Sequence, residues 1–224
     1  MSILIISAHP DDEVLGCGGF IAKYAKVEDI YCVHLTNGEG SRDFKSKKGL
    51  ASAISSRKNS AKKASKILGI KQTHFCDFPD NQLDQVSILT IAKHIEKFID
   101  LYKPHTLLTH SHSDLNIDHK IACETSIIAS RPSKEQTIKK ILSFDIPSSR
   151  EFAFHDNIKI RHNWYEDITK KYDLKLKALK AYNQELKKNF HPRSINSIKS
   201  YDSYIGSIIG VKYSETFLLY RNVC

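Results

Sequence analysis

The sequence predicts an α/β fold in which a mostly parallel sheet carries helices on both faces. Three observations predict it. Short apolar runs alternate with longer segments of helical apolar period over the first 147 residues or so, the mark of strand–helix–strand units joined by right-handed crossovers. The first run, Ile3-Leu-Ile-Ile-Ser7, reads as a buried strand. The two richest polar clusters follow the first and fourth strands, and in such sheets sites form in the crevice outside the carboxyl ends of the strands.

The elements follow in order. After the first strand, 13–27 carries apolar residues at helical spacing, with Gly16, Gly18 and Gly19 weakening its first turns. A second strand, 30–35, closes on the turn signal Thr36-Asn37-Gly38. A helix over 57–68 stops at Gly69. The third strand, 73–78, runs into Pro79-Asp80-Asn81, and an amphipathic helix from about 86 to 102 cannot continue past Pro104. The fourth strand is 106–109, a helix spans 118–130, and 139–144 is a fifth strand. Beyond residue 147 the alternation weakens: one long Lys-rich helix is expected over 168–188, then irregular segments with late strands near 214–220.

The chain has 224 residues, enough for one domain over 1–224, and shows no repeat, low-complexity linker or second boundary. Its 41% hydrophobic and 26% charged residues are ordinary globular composition. A mean hydropathy of -0.37 and no apolar run near the ~20 residues a span requires exclude a membrane helix. No basic region precedes the first apolar stretch, so the reading is a cytoplasmic protein beginning at Met1. Five cysteines form no CxxC pair and read as reduced thiols, the first four of them as small buried residues, with Cys17 notable for lying beside the first polar cluster. The net charge of +9 comes from 27 Lys and 7 Arg. Lys-rich basicity at helical spacing (Lys58, Lys62, Lys63 and Lys66; Lys170 to Lys188) describes solvated faces rather than a nucleic-acid surface. A positive field still attracts an anionic small molecule such as a nucleotide-linked substrate.

The first cluster is Ala8-His9-Pro10-Asp11-Asp12-Glu13. His9 and Asp12, three apart on a tight turn, can point at one cation, while Asp11 projects differently. The second runs from His110 through His112, Asp114, Asn116 and Asp118 to His119, which opens a helix. One imidazole from there would complete a His-Asp-His set with an open coordination position, as catalytic zinc requires. Asp118 and Asp114 are placed to orient an imidazole or a loop. An acidic run at a helix start is also an ordinary capping pattern, and loop histidines are commonly just solvated.

The AHPDDE string and the later Asp-x-Asn-x-Asp-His string resemble the PIG-L/LmbE-like family of zinc-dependent N-deacetylases. Thr36-Asn37-Gly38-Glu39, Leu68-Gly69, Pro79-Asp80-Asn81 with Asp84, and His191-Pro192-Arg193-Ser194 extend the resemblance along most of the chain. It implies a single Rossmann-like domain with the C-terminal third capping the site. It also implies His9, Asp12 and His119 as metal ligands, Asp11 as general base, and attack of a zinc-bound hydroxide on an acetamide. Mixed His/carboxylate donors suit Fe²⁺ or Co²⁺ as well as Zn²⁺. A second donor must stabilise the oxyanion or protonate the departing amine: His191 first, then Asn116, His110 and His112. Arg57 and Arg193 are candidates for a substrate phosphate, and Glu215 for a sugar hydroxyl.

The DLNIDH and HPRS wording resembles members that act in sugar-nucleotide or surface-polysaccharide synthesis. Members acting on thiol-cofactor precursors usually carry His where this chain has Asn116. The expected substrate is therefore an N-acetylated amino sugar or sugar nucleotide, without nucleic-acid or membrane partners. The alternatives are another N-acyl substrate, such as a thiol-cofactor precursor or an antibiotic, or a non-catalytic nucleotide-binding module. The lack of GxGxxG after the first strand counts against the module.

Overall fold

The computed structural model describes residues 1–133, 136–154 and 162–224. Ser2–Ser7 forms β1 inside a seven-stranded sheet of order β3-β2-β1-β4-β5-β7-β6. The other strands are β2 (Asp29–Thr36), β3 (Gln72–Phe78), β4 (Thr106–His110), β5 (Lys140–Phe144), β6 (Trp164–Asp167) and β7 (Ser214–Asn222). The first five run parallel; β7 pairs antiparallel with both β5 and β6. Side chains of a strand alternate between faces, so Ile3 and Ile5 enter one core while Leu4 and Ile6 enter the other.

Helices α1 (Asp12–Tyr24), α2 (Lys47–Leu68), α5 (Tyr172–Ala181) and α6 (Ile195–Ile208) contribute to the first core. Helices α3 (Ile88–Tyr102) and α4 (Ile117–Ala129) cover the second. The chain reverses its direction of sheet growth between β1 and β4, which opens a crevice at their carboxyl ends. Among the described residues, no helix is long and apolar enough to cross a membrane.

The glycines that weaken the start of α1 have a packing reason. A Cβ on Gly16 would collide with the Phe144 ring, and one on Gly19 with Ile168. The helix breaks at Cys17 (φ -145°, ψ 25°), and the N–H groups of Gly19 and Phe20 donate to the Glu215 carboxylate at 2.7 Å each. Glu215 thus caps the second half of α1 from a distant strand.

Three expectations are corrected. Helix α2 starts ten residues before the predicted position, with Ser46 Oγ accepting from the Gly49 N–H at 3.1 Å; its first turns are mostly exposed and carry no apolar period. The Lys-rich helix is short, a 3₁₀ turn at Thr169–Lys171 leading into α5. Within it Lys175 is 1% exposed and bridges Asp202 (2.8 Å) and Glu215 (3.0 Å), so part of the presumed solvated face lies in the core. The C-terminal region is regular rather than irregular: β6 and β7 extend the sheet, and α6 is capped by Ser194, whose Oγ accepts from the Ser197 N–H at 3.1 Å.

Candidate active site

The loop after β1 makes a tight turn in which the Asp12 carboxylate accepts from the His9 backbone N–H at 2.8 Å. That bond brings His9 Nδ1 to 3.2 Å from Asp12 Oδ2. His119, in the first turn of α4, places Nε2 at 3.1 Å from His9 Nδ1 and 3.3 Å from Asp12 Oδ2. Three donor atoms from three residues thus form a nearly equilateral triangle. Ligands ~2.0–2.1 Å from a tetrahedral ion lie about 3.3 Å apart, so these edges fit a divalent cation.

The remaining nitrogens of both imidazoles are accounted for. His9 Nε2 faces Asp118 Oδ2 at 3.1 Å and Asp80 Oδ1 at 3.3 Å, and His119 Nδ1 faces Asp114 Oδ2 at 2.9 Å. A carboxylate on the far nitrogen is what fixes a ligating histidine's tautomer and raises its basicity. Asp118 is itself held by the backbone N–H groups of Asn81 (2.7 Å) and Leu83 (3.0 Å). Asp12 Oδ1 is buried with no hydrogen-bond partner among the described residues, a leftover acceptor beside the triangle. The donor set contains only nitrogen and oxygen. Cys17 takes no part: it is fully buried, its thiol donates to the Glu13 carbonyl at 3.2 Å, and burial pushes it well up.

The electrostatics favour a cation. Burial opposes charging the imidazoles, yet the surrounding carboxylates push His9 up to about 10 and His119 up to about 9. Asp12 is buried too, but the histidines around it hold it well below the usual carboxylate range. His110 belongs to the support. It stacks on His119 with ring centroids 4.1 Å apart, its Nε2 accepts from the Ala8 N–H at 2.9 Å, and burial holds it well down. The weaker candidate His112 is exposed and pairs with the Tyr220 hydroxyl at 2.8 Å.

Asp11 sits beside the triangle in an unusual conformation, φ 134°, that costs a non-glycine residue ~1–3 kcal/mol. Its neighbours hold it there. The Asp11 N–H donates to Glu13 Oε2 at 3.0 Å, and Glu13 Oε1 accepts from the Tyr182 hydroxyl at 2.7 Å. Burial pushes the Glu13 carboxyl up to about 8. The Asp11 side chain is 2% exposed and faces Arg57 Nη2 at 3.1 Å and Arg193 Nη1 at 3.7 Å. Burial raises its proton affinity, against the pull of Arg57.

Other residues named from the sequence have different surroundings. Arg57 is buried and spent on Asp11, Glu39, Glu185 and the Pro10 carbonyl, which leaves it no phosphate to bind. Glu215 is 3% exposed with both oxygens engaged by Gly19, Phe20 and Lys175, so its work is structural and not the binding of a hydroxyl. Asn116 is the N-cap of α4: its oxygen accepts from Asp118 and His119, and its amide donates to Asn81 Oδ1 at 2.8 Å. Its side chain therefore shapes the loop carrying His119. Arg193 is anchored on the Pro147 carbonyl (3.2 Å) and Ser148 Oγ (3.1 Å). His191 Nδ1 accepts from the Arg193 N–H at 3.1 Å, leaving the ring proton on Nε2.

His191 lines a cavity of about 310 Å³, and Arg193, two residues on, is part of the wall of the metal-site cleft of about 110 Å³. Sequence reading missed Asp80, Glu185 and Tyr182 as site residues. For Asp80 a signal existed, since Pro79-Asp80-Asn81 follows a strand end. For the other two none did.

A family model described as PIG-L, GlcNAc-PI de-N-acetylase, matches residues 4–130, more than half of the chain. The uncharacterized deacetylase YaiS of Escherichia coli K12 is 30% identical over 190 residues, which cover 80% of this chain and 89% of that protein. The diacetylchitobiose deacetylase of Thermococcus kodakarensis is 25% identical over 219 residues, 95% of this chain and 80% of that protein. Among solved structures, GalB of Pseudomonas putida KT2440, a 4-carboxy-2-hydroxymuconate hydratase, superposes with a TM-score of 0.80 at 20% identity, covering 100% of this chain and 97% of that one. A hydratase and deacetylases sharing one architecture place the weight of a functional argument on the site.

Proposed function

The chain belongs to the PIG-L family of GlcNAc-PI de-N-acetylases, and on that premise we propose that it removes the acetyl group from an N-acetylated amino sugar, releasing acetate and a free amine. The observation that carries the reading is the His9–Asp12–His119 triangle with a carboxylate behind each imidazole and Asp11 beside it. When bound, a divalent ion supplies a Lewis acid for the amide carbonyl and lowers the pKa of a water. His9, Asp12 and His119 would hold it, and Zn²⁺, Fe²⁺ and Co²⁺ all suit the donors.

The chain's own groups do the rest. Asp11 accepts the proton of the attacking water; its burial makes it a stronger base than an exposed aspartate, against the opposing pull of Arg57 at 3.1 Å. The strained turn and the Glu13–Tyr182 pair fix its direction, so little reorganisation is needed at the moment of transfer. His191, with its proton on Nε2, donates to the departing amine or to the developing oxyanion. The cleft that Asp11 lines has a volume of about 110 Å³.

The test is acetate release from N-acetylglucosamine by the Zn²⁺-loaded protein, before and after chelation. Release that stops on chelation and returns with Zn²⁺, at constant circular dichroism, supports the reading. Unchanged release after chelation, or none from any N-acetylhexosamine, overturns it.

A further inference from the structure

The inner faces of β1 and β2 change character near their carboxyl ends. Ile3 and Ile5 on β1, with Ile30 and Cys32 on β2, enter the first core, and the alternation of a strand turns Ser7 and His34 toward the same side. The two residues are paired across the parallel ladder and fully buried. An aliphatic residue at either place would simply continue the core, whereas a buried polar group is tolerated only when it is bonded. Both are bonded. Ser7 Oγ donates to the His9 carbonyl at 2.6 Å and faces His34 Nδ1 at 3.2 Å. The hydroxyl has a single proton and it goes to the carbonyl, so the imidazole carries its proton on Nδ1 and donates it to Ser7. His34 Nε2 is then the acceptor, with the Cys32 thiol 3.8 Å away and the Phe75 ring stacked alongside at 5.2 Å.

This chain of hydrogen bonds ends on the peptide unit next to a metal ligand. The His9–Pro10 peptide has no N–H, so the His9 carbonyl is the polar group by which it can be held. That carbonyl accepts from Ser7 at 2.6 Å and from the Asp12 N–H at 3.3 Å. Asp11 then leaves at φ 134°, so no regular structure fixes the plane from the other side. The flanking Ala8 is held separately, its carbonyl by the Thr36 N–H and hydroxyl and its N–H by His110. What depends on His34 is therefore the His9 peptide. Without the imidazole the Ser7 hydroxyl turns among staggered wells; with Nδ1–H bound to its oxygen, its own proton is left for His9 and the bond is strengthened.

We infer that His34 is a positioning residue for the metal site. Through Ser7 it fixes the His9 carbonyl, and so the direction from which His9 Nδ1 meets Asp12 and His119. The inference rests on the metal-site reading above and deepens it. His34 is not itself a ligand; it sets how well the triangle of donors is preformed.

The experiment measures Zn²⁺ affinity by chelator competition, the visible spectrum of the Co²⁺-loaded protein, and Tm, on the parent and its variants. In His34→Asn the amide nitrogen falls where Nδ1 stood, and in His34→Gln it falls where Nε2 stood. His34→Leu fills the space without a donor, and Ser7→Ala removes the link with the smallest change in volume. Losing a group that orients a ligand costs about 10–100-fold in metal affinity. Ser7→Ala, His34→Gln and His34→Leu should therefore bind Zn²⁺ at least ~10-fold more weakly and shift the Co²⁺ bands. His34→Asn should keep near-parent affinity and parent-like bands, even with a lowered Tm. A role in packing alone gives the reverse ranking, with Leu mildest and affinity following Tm. That ranking, or parent-like affinity in both Ser7→Ala and His34→Leu, overturns the positioning role and leaves the metal site standing. A parent that binds neither ion overturns the metal-site reading and the inference with it. Should His34→Leu not fold, the Asn and Gln variants with Ser7→Ala carry the same comparison.

Discussion

The loops after β1, β3 and β4 and the last third of the chain build opposite sides of one site by different means. In the loops the turns that carry the donors are set by neighbours a few residues away: Asp12 takes the His9 N–H, Asn116 caps the turn that bears His119, and Asp114 takes the Asn116 N–H at 2.8 Å. In the last third the groups act at a distance. Tyr182 reaches Glu13, Glu185 pairs with Arg57, and Glu215 caps the broken half of α1. On the proposed reading the loops carry the metal ligands and Asp11, while the last third, His191 apart, aims and braces them. Substitutions should therefore fail in different ways: lost metal at the loop ligands and the carboxylates behind them, lost stability or aim with metal retained in the last third.

The largest effect is expected at His119→Ala. Two protein ligands hold a divalent ion poorly, so metal content by elemental analysis should fall far below one per chain and acetate release to background, at unchanged circular dichroism. Full metal content would remove His119 from the ligand set. Next is Glu215→Ala, which strips the acceptor from two N–H groups and leaves Lys175 with one carboxylate. Breaking a buried pair costs about 3–5 kcal/mol, roughly 10 °C in Tm for a chain of this size. A thermal scan checks it, and metal binding below the transition should persist. A Tm within a degree of the parent would erase the bracing role.

Asp114→Asn should weaken metal affinity by about 10–100-fold, because the His119 Nδ1–H loses its anionic partner. Competition with a chromogenic chelator measures it, and an unchanged affinity would leave the imidazole oriented by packing alone. The smallest effect is expected at Tyr182→Phe, which leaves Glu13 Oε1 buried without its donor. The cost to stability is about 1–2 kcal/mol, and the loosened aim of Asp11 should show as a several-fold lower kcat with KM and metal content unchanged. Equal losses in kcat and metal would assign Tyr182 to the fold rather than to the aim of Asp11.

The same division explains what the sequence made legible. His9, Asp12 and His119 lie on segments whose geometry is local, a strand end followed by a turn or a cap, so residue type and spacing pointed to the two clusters, and the family resemblance named these three within them. The parallel half of the sheet was legible for the same reason, since each strand is a short apolar run and each helix has a period. Glu215 was misjudged because nothing near it in sequence signals that α1 breaks at Cys17 and needs a remote acceptor. Arg57 was misjudged because its partners Glu39 and Glu185 converge from different loops. Helix α6 was hidden by its polar face, as only Ile198, Asp202, Ile205 and Gly206 turn inward.

The central claim is that adjacent aspartates have separate tasks, Asp12 on the cation and Asp11 on the proton. Asp11→Asn and Asp12→Asn, loaded identically with Zn²⁺, test it through metal content and acetate release measured on the same preparations. Asp11→Asn should keep one metal per chain while kcat falls ~10²–10⁴-fold, the usual cost of losing a general base. Asp12→Asn should lose metal. An Asp11→Asn protein with full metal and near-parent turnover would contradict the account.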